Sequence, residues 1–224
     1  FPPGAGLVGR PTVINNGETL ACVGPILERG GGWYAGLGTA GSAGTKLVSV
    51  SGCVRRPGVF EVPFGTPIRA VVEHLAGGVP EGRRVQAVLC GGAAGTLLRP
   101  DQLDTPLSFE ALSAIGGTVG SGALVVFDDA VDLRAVLERI ARFFRDESCG
   151  QCVPCRVGTQ RQWELVAALA RGQRQPDEAA RAMLADLARV MRDASICGLG
   201  QLAAAAVQSG LRYLGFEKDR ETGR

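Results

Sequence analysis

The chain has 224 residues, a formal net charge of +2, 46% hydrophobic and only 5% aromatic content. That balance gives no electrostatic case for nucleic acid or an anionic membrane surface. No apolar run approaches the ~18 residues that argue a bilayer span, and no signal-peptide pattern is present. With so few aromatics, the core must be built from Ala, Val and Leu. The chain opens at Phe1 rather than methionine and reads as a piece of a longer protein.

Residues 1–45 are rich in Gly and Pro around one helical island. Asn15 followed by Glu18 reads as a capping box, with Asn15 as N-cap and Leu20, Val23 and Leu27 as the apolar stripe. Pro25 is expected to kink or end this helix. The start at Asn15, Asn16 and Thr19 could also bind a phosphate through outward-pointing amides, although capping alone explains the pattern.

Residues 46–130 read as a small mixed domain. Lys46–Gly52 alternates as a strand, Pro57-Gly58 is a turn, and Val59–Pro63 is a second strand. Thr66 as N-cap and Pro67 at the first helical position open a helix with Ile68, Val71, Val72 and Leu75 on one face, closed by Gly77. Val85–Leu89 and Ala123–Phe127 are short apolar runs expected as buried strands. Together these suggest a compact α+β unit of the β-grasp kind. His74, the only histidine, is expected on the solvated side of the helix. The Gly-rich stretches at 91–92 and 116–122 lack a phosphate-loop or dinucleotide signature and are read as turns between strands.

Residues 131–216 read as four helices in an up-down bundle. The stripes are Leu133, Val136, Leu137, Ile140 and Phe144; then Trp163, Val166, Ala167 and Ala170. Next come Ala180, Met183, Leu184, Leu187, Val190 and Met191 after a Pro176-Asp177-Glu178 start, and finally an Ala-rich helix reaching Leu214. Residues 217–224 are expected as a flexible tail. The fold class is therefore α+β, a β-grasp-like domain followed by a four-helix bundle.

Of the seven cysteines, three stand at i, i+3 and i+6 as Cys149, Cys152 and Cys155 between the first and second bundle helices. Cys197 stands alone between the third and fourth. In an up-down bundle those two loops share an end, so the fourth thiol arrives where three already wait. Four thiolates, one per iron, suit a cubane iron–sulfur cluster. Zinc sites more often show two separated Cys-x-x-Cys pairs, so three plus one favours the cluster. A zinc-stapled binding or docking module and a disulfide set remain the alternatives. Cys22, Cys53 and Cys90 are read as small core hydrophobes, and free thiols suit a reducing cytosol.

The run Glu147-Ser148-Cys149-Gly150-Gln151-Cys152-Val153-Pro154-Cys155-Arg156-Val157-Gly158-Thr159, with Ser195-Ile196-Cys197-Gly198-Leu199-Gly200, carries a family resemblance. It closely resembles the NADH-binding flavoprotein subunits of respiratory complex I, NAD-reducing hydrogenases and NAD-dependent formate dehydrogenases. Residues 9–20 and 44–63 extend the likeness over nearly the whole chain, and the Gly-Leu-Gly-Gln after Cys197 leans towards the hydrogenase and formate dehydrogenase relatives. The resemblance implies that Cys149, Cys152, Cys155 and Cys197 hold a [4Fe–4S] cluster and that Asn15, Asn16 and Thr19 line a flavin site. It implies residues 1–45 as the tail of a flavin-binding domain and linker, 46–130 as a soluble-ligand-binding β-grasp domain, and 131–216 as the cluster-binding bundle. Electrons would pass from NADH to FMN, then through the cluster to a thioredoxin-like [2Fe–2S] subunit and further iron–sulfur subunits. Neither nucleic acid nor direct membrane insertion is implied. The family's Gly-rich FMN and NADH motif is absent from these residues, so it is expected upstream or on another chain, and this chain alone is expected to be inactive. The expected location is the cytoplasm, including the cytoplasmic face of a membrane complex.

Overall fold

The computed structural model describes residues 2–215; the tail expected at 217–224 lies outside them. Helix α1 (Gly17–Arg29) and the short α2 (Gly31–Ala35) come first, followed by strands β1 (Thr45–Gly52) and β2 (Gly58–Pro63). Then come α3 (Ile68–Ala70), extended by a π-turn over Val71–Leu75, then β3 (Val85–Cys90), β4 (Thr96–Leu98), α4 (Phe109–Ala114) and β5 (Ala123–Asp128). The helical part holds α5 (Leu133–Asp146), α6 (Val153–Ala170), α7 (Glu178–Ala194), α8 (Gly198–Leu202) and α9 (Ala205–Tyr213).

The five strands form one mixed sheet in the order β2-β1-β5-β3-β4. The middle pair, β1 and β5, runs parallel (Val50 opposite Leu124) and the other pairs run antiparallel. This is the β-grasp arrangement expected from the strand–helix–strand pattern. The way the strands read in sequence follows from what covers them. On one face Val48, Val50, Val62, Val88, Cys90, Leu98, Leu124 and Val126 pack under Ile68, Val71 and Val72 of the α3 segment. On the other face Ala87, Leu89, Leu97 and Phe127 pack against Leu133, Ile140 and Phe144 of α5 and against Ala204 and Ala206. Strands β3 and β5 are thus buried on both sides and read as continuous apolar runs, whereas β1 is covered on one side and alternates.

Two polar ties fix the bundle to the sheet. Ser209 Oγ accepts from the Leu97 amide of the edge strand at 2.9 Å, and Tyr213 Oη donates to Gln86 O at 2.9 Å. Both satisfy backbone groups that would otherwise be left unpaired in a mostly buried setting. Inside the bundle, Leu137, Leu165, Val166, Leu184, Val207 and Leu211 make a further core.

Several local expectations are corrected. The cap of α1 is Asn16, not Asn15: Asn16 Oδ1 accepts from the Glu18 and Thr19 amides at 2.9 and 3.2 Å. Glu18 does not close a capping box, because its carboxylate is held by the Lys46 ammonium and the Leu47 amide of β1. Pro25 sits inside α1 without ending it. Thr66 does not cap α3; its hydroxyl donates to Pro63 O at 2.8 Å, and Pro67 takes the cap position. Residues 116–122 link α4 to β5, so they are not a turn between two strands. Finally, the Ala-rich closing helix is two pieces. Its break falls at Ala203, whose carbonyl accepts from the buried Gln162 side chain of α6 at 2.9 Å. His74 is exposed, as expected.

Candidate metal centre

Helix α5 ends at Asp146 and α6 begins at Val153, so residues 147–152 form a tight crossing loop. Gly150 makes the reversal with φ of 77°, a left-handed conformation that a side chain would strain. Arg156 Nη1 donates to Gly150 O at 2.7 Å and fastens the loop back onto the first turn of α6. Cys149 is exposed on this loop, Cys152 caps α6, and Cys155 is buried in its first turn.

The second loop reaches the same end because α6 and α7 approach closely. Gly158 faces Met191, and a Cβ there would lie 2.7 Å from the Met191 sulfur. Helix α7 then ends at Ala194, and Cys197 caps the short α8. A Cβ on Gly200 of α8 would lie 2.6 Å from Ser195 Cβ and 2.9 Å from Cys155 Cβ, so glycine lets the two loops touch.

The electrostatics of the thiols follow from this meeting. The Ile196 amide, then the Cys155 amide, stabilise the Cys152 thiolate and lower its pKa; a thiolate at the head of the long α6 also meets the positive end of the helix dipole. Burial pushes the Cys155 thiol up, and the negative charges of Cys152, Cys197 and Cys149 push the same way, against the Ser148 hydroxyl at 3.3 Å. All four cysteines therefore act on one small volume. Sequence reasoning missed Ser148 and Ser195. Their only signal was a hydroxyl close to a cysteine in each motif.

Among the described residues, no three His, Cys, Asp or Glu side chains converge on a single-ion site. A cubane spreads its four thiolates over four irons and needs no common point. The four-sulfur donor set, with backbone amides aimed at sulfur, fits such a group. Asn15, Asn16 and Thr19 stand elsewhere, exposed at the head of α1. Their helix is tied to β1 through Glu18. No helix among the described residues is long and apolar enough to cross a membrane.

Comparison with known proteins gives the lineage. Residues 135–221 match the family described as the NADH-ubiquinone oxidoreductase-F iron–sulfur binding region, and residues 47–95 match the SLBB domain. The second F-type chain of the NADH-quinone oxidoreductase of Rhizobium meliloti (strain 1021) is 38% identical over 97% of this chain and 51% of its own length. NADP-reducing hydrogenase subunit HndC of Solidesulfovibrio fructosivorans is 36% identical over 90% of this chain and 41% of its own. The crystal structure of an NAD+-reducing [NiFe]-hydrogenase in the H2-reduced state superposes with a TM-score of 0.80 at 38% identity, over 99% of this chain and 38% of that one. The chain thus spans about half the length of the curated relatives it matches. It carries an SLBB domain over residues 47–95 and, over residues 135–221, an iron–sulfur binding region of the NADH-ubiquinone oxidoreductase-F type.

Proposed function

We propose that this chain is the electron-relay part of an NADH dehydrogenase-type flavoprotein subunit, with Cys149, Cys152, Cys155 and Cys197 as the four ligands of a [4Fe–4S] cluster. The observation that carries this reading is the contact, through Gly200, between the three-cysteine segment and the Cys197 loop at one end of the bundle. Such a cluster supplies one-electron transfer when bound. The chain's own residues do the holding. Gly150 and Arg156 shape the loop, and the Ile196 and Cys155 amides stabilise sulfur charge. Gly158 and Gly200 permit the approach of the two loops.

In the same reading, residues 1–45 are the end of a flavin-binding domain and linker, 46–130 the β-grasp domain and 131–216 the cluster domain. Asn15, Asn16 and Thr19 face FMN that NADH reduces, and the electron acceptor is a thioredoxin-like [2Fe–2S] subunit within a larger cytoplasmic complex of iron–sulfur subunits. No general acid, base or nucleophile is required of this chain.

The test is iron and acid-labile sulfide analysis of anaerobically purified protein, with EPR after dithionite reduction. About four irons and four sulfides per chain, with a reduced signal lost in Cys197→Ser, are expected. Zinc without iron or sulfide would overturn the reading in favour of a binding or docking module.

A further inference from the structure

A buried polar atom at the same end of the bundle is left without a partner. The Ser195 side chain is 7% exposed, and its Oγ makes no hydrogen bond. A buried hydroxyl with nothing to bond costs free energy, so an orphan of this kind calls for an explanation. Nothing about its position in the fold requires a serine. The helix before it, α7, ends through its backbone, the Ser195 amide donating to Met191 O at 3.2 Å. The hydroxyl is not used as a cap.

The hydroxyl lies in the wall of the cysteine site. A Cβ on Gly200 would run into Ser195 Oγ and lie 2.9 Å from Cys155 Cβ, so the hydroxyl and the Cys155 side chain border the same small space that Gly200 leaves open. By contrast, Ser148 already has its sulfur partner, Cys155 Sγ at 3.3 Å. One serine from each loop therefore borders the cysteines. The one from the Cys197 loop is poised but unpaired.

We propose that Ser195 tunes the reduction potential of the centre, its hydroxyl donating a hydrogen bond to cysteine sulfur beside the Gly200 contact when the cluster is held. The inference rests on the four-cysteine reading given above. Reduction adds negative charge to the centre and its sulfurs. A donor aimed at sulfur stabilises the reduced state more than the oxidised one and raises the potential. Ser195 is thus a positioning and tuning residue, not a ligand.

The experiment is a redox titration followed by EPR on the reconstituted 224-residue chain, comparing the parent with Ser195→Ala and Ser195→Thr. Iron and sulfide are measured on each sample first. Ser195→Ala is expected to keep about four irons and to lower the reduction equilibrium constant about tenfold, a negative shift of ~59 mV for one electron. Ser195→Thr, which restores a hydroxyl, is expected to return most of that shift. Full loading with an unchanged potential in Ser195→Ala overturns the tuning role while leaving the four-cysteine reading intact. A shift in Ser195→Ala that Ser195→Thr does not recover overturns it too, because packing and not the hydroxyl would then be the cause. If Ser195→Ala loses iron while Ser195→Thr keeps it, the hydroxyl is needed to hold the cluster and the tuning role is overturned in favour of a retention role. Absence of iron in the parent itself overturns both readings together.

Discussion

Helices α1 and α7 are both amphipathic in sequence, and they end in opposite situations. Helix α7 buries Ala180, Leu184, Ala188 and Met191, the last completely, against its bundle neighbours. Helix α1 buries none of its residues: Leu20 is 57% and Leu27 80% exposed. A 3.6-residue stripe is a statement about a helix and the face it offers. Whether that face lies inside is decided by what the rest of the chain places against it. For α7 that cover comes from α6, which carries three of the cysteines between its first turn and the loop before it. For α1 the tie to the sheet is polar, through Glu18 to β1.

The contrast makes graded predictions. Met191→Ala removes a fully buried side chain wedged against Gly158, and should cost about 2–5 kcal/mol in urea unfolding. A value below about 1 kcal/mol would mean that α6 and α7 are not held by this contact. Gly158→Ala puts a methyl against Met191 at the same crossing and should cost about 1–3 kcal/mol. It should also reduce iron retention, because it pushes the two cysteine loops apart. At the other pole, Asn16→Ala removes the α1 cap and should cost about 1 kcal/mol of helix stability. Hydrogen exchange of the Glu18 and Thr19 amides reads this directly, and Asn15→Ala should leave those amides protected. Equal effects of the two substitutions would contradict the Asn16 assignment.

A smaller effect links the segment after α2 to α4. The Ser42 and Thr39 hydroxyls donate to the Glu110 carboxylate at 2.6 and 2.5 Å and hold its pKa down to about 2. A depressed carboxylate contributes stability that is present above its unfolded value of 4.5 and is lost as pH falls towards 2. Acid titration of Glu110→Gln should therefore lack a component between about pH 4.5 and 2 that the parent shows. Smallest of all, Leu27→Ala should stay within about 0.5 kcal/mol. A cost as large as that of Met191→Ala would show α1 to be packed in solution.

Much of the site was legible in advance because ligand spacing is local. Cys149, Cys152 and Cys155 lie within seven residues, and the loop that brings Cys197 follows from counting helices in an up-down bundle. The strands were legible for a related reason, since burial on one or both faces writes itself into the residue pattern. What stayed hidden was tertiary in origin. Thr96–Leu98 is too short to show a period, yet it becomes the edge strand β4 because Ser209, over a hundred residues later, satisfies its Leu97 amide. The break at Ala203 could not be read from a run of alanines, each of which favours helix. It exists because Gln162 reaches across from α6 to take the Ala203 carbonyl. Glu18 looked like half of a capping box until β1 offered it an ammonium and an amide.

By itself, then, the amino-acid sequence determined the kinds of element, the β-grasp order and the four thiols, because these depend on neighbours within a turn or a strand. The tertiary structure alone decided where the last helix breaks and which amphipathic stripe is inside. Those outcomes depend on pairs of groups brought together across many intervening residues, where a hydrogen bond or a methyl-sized clearance outweighs local preference.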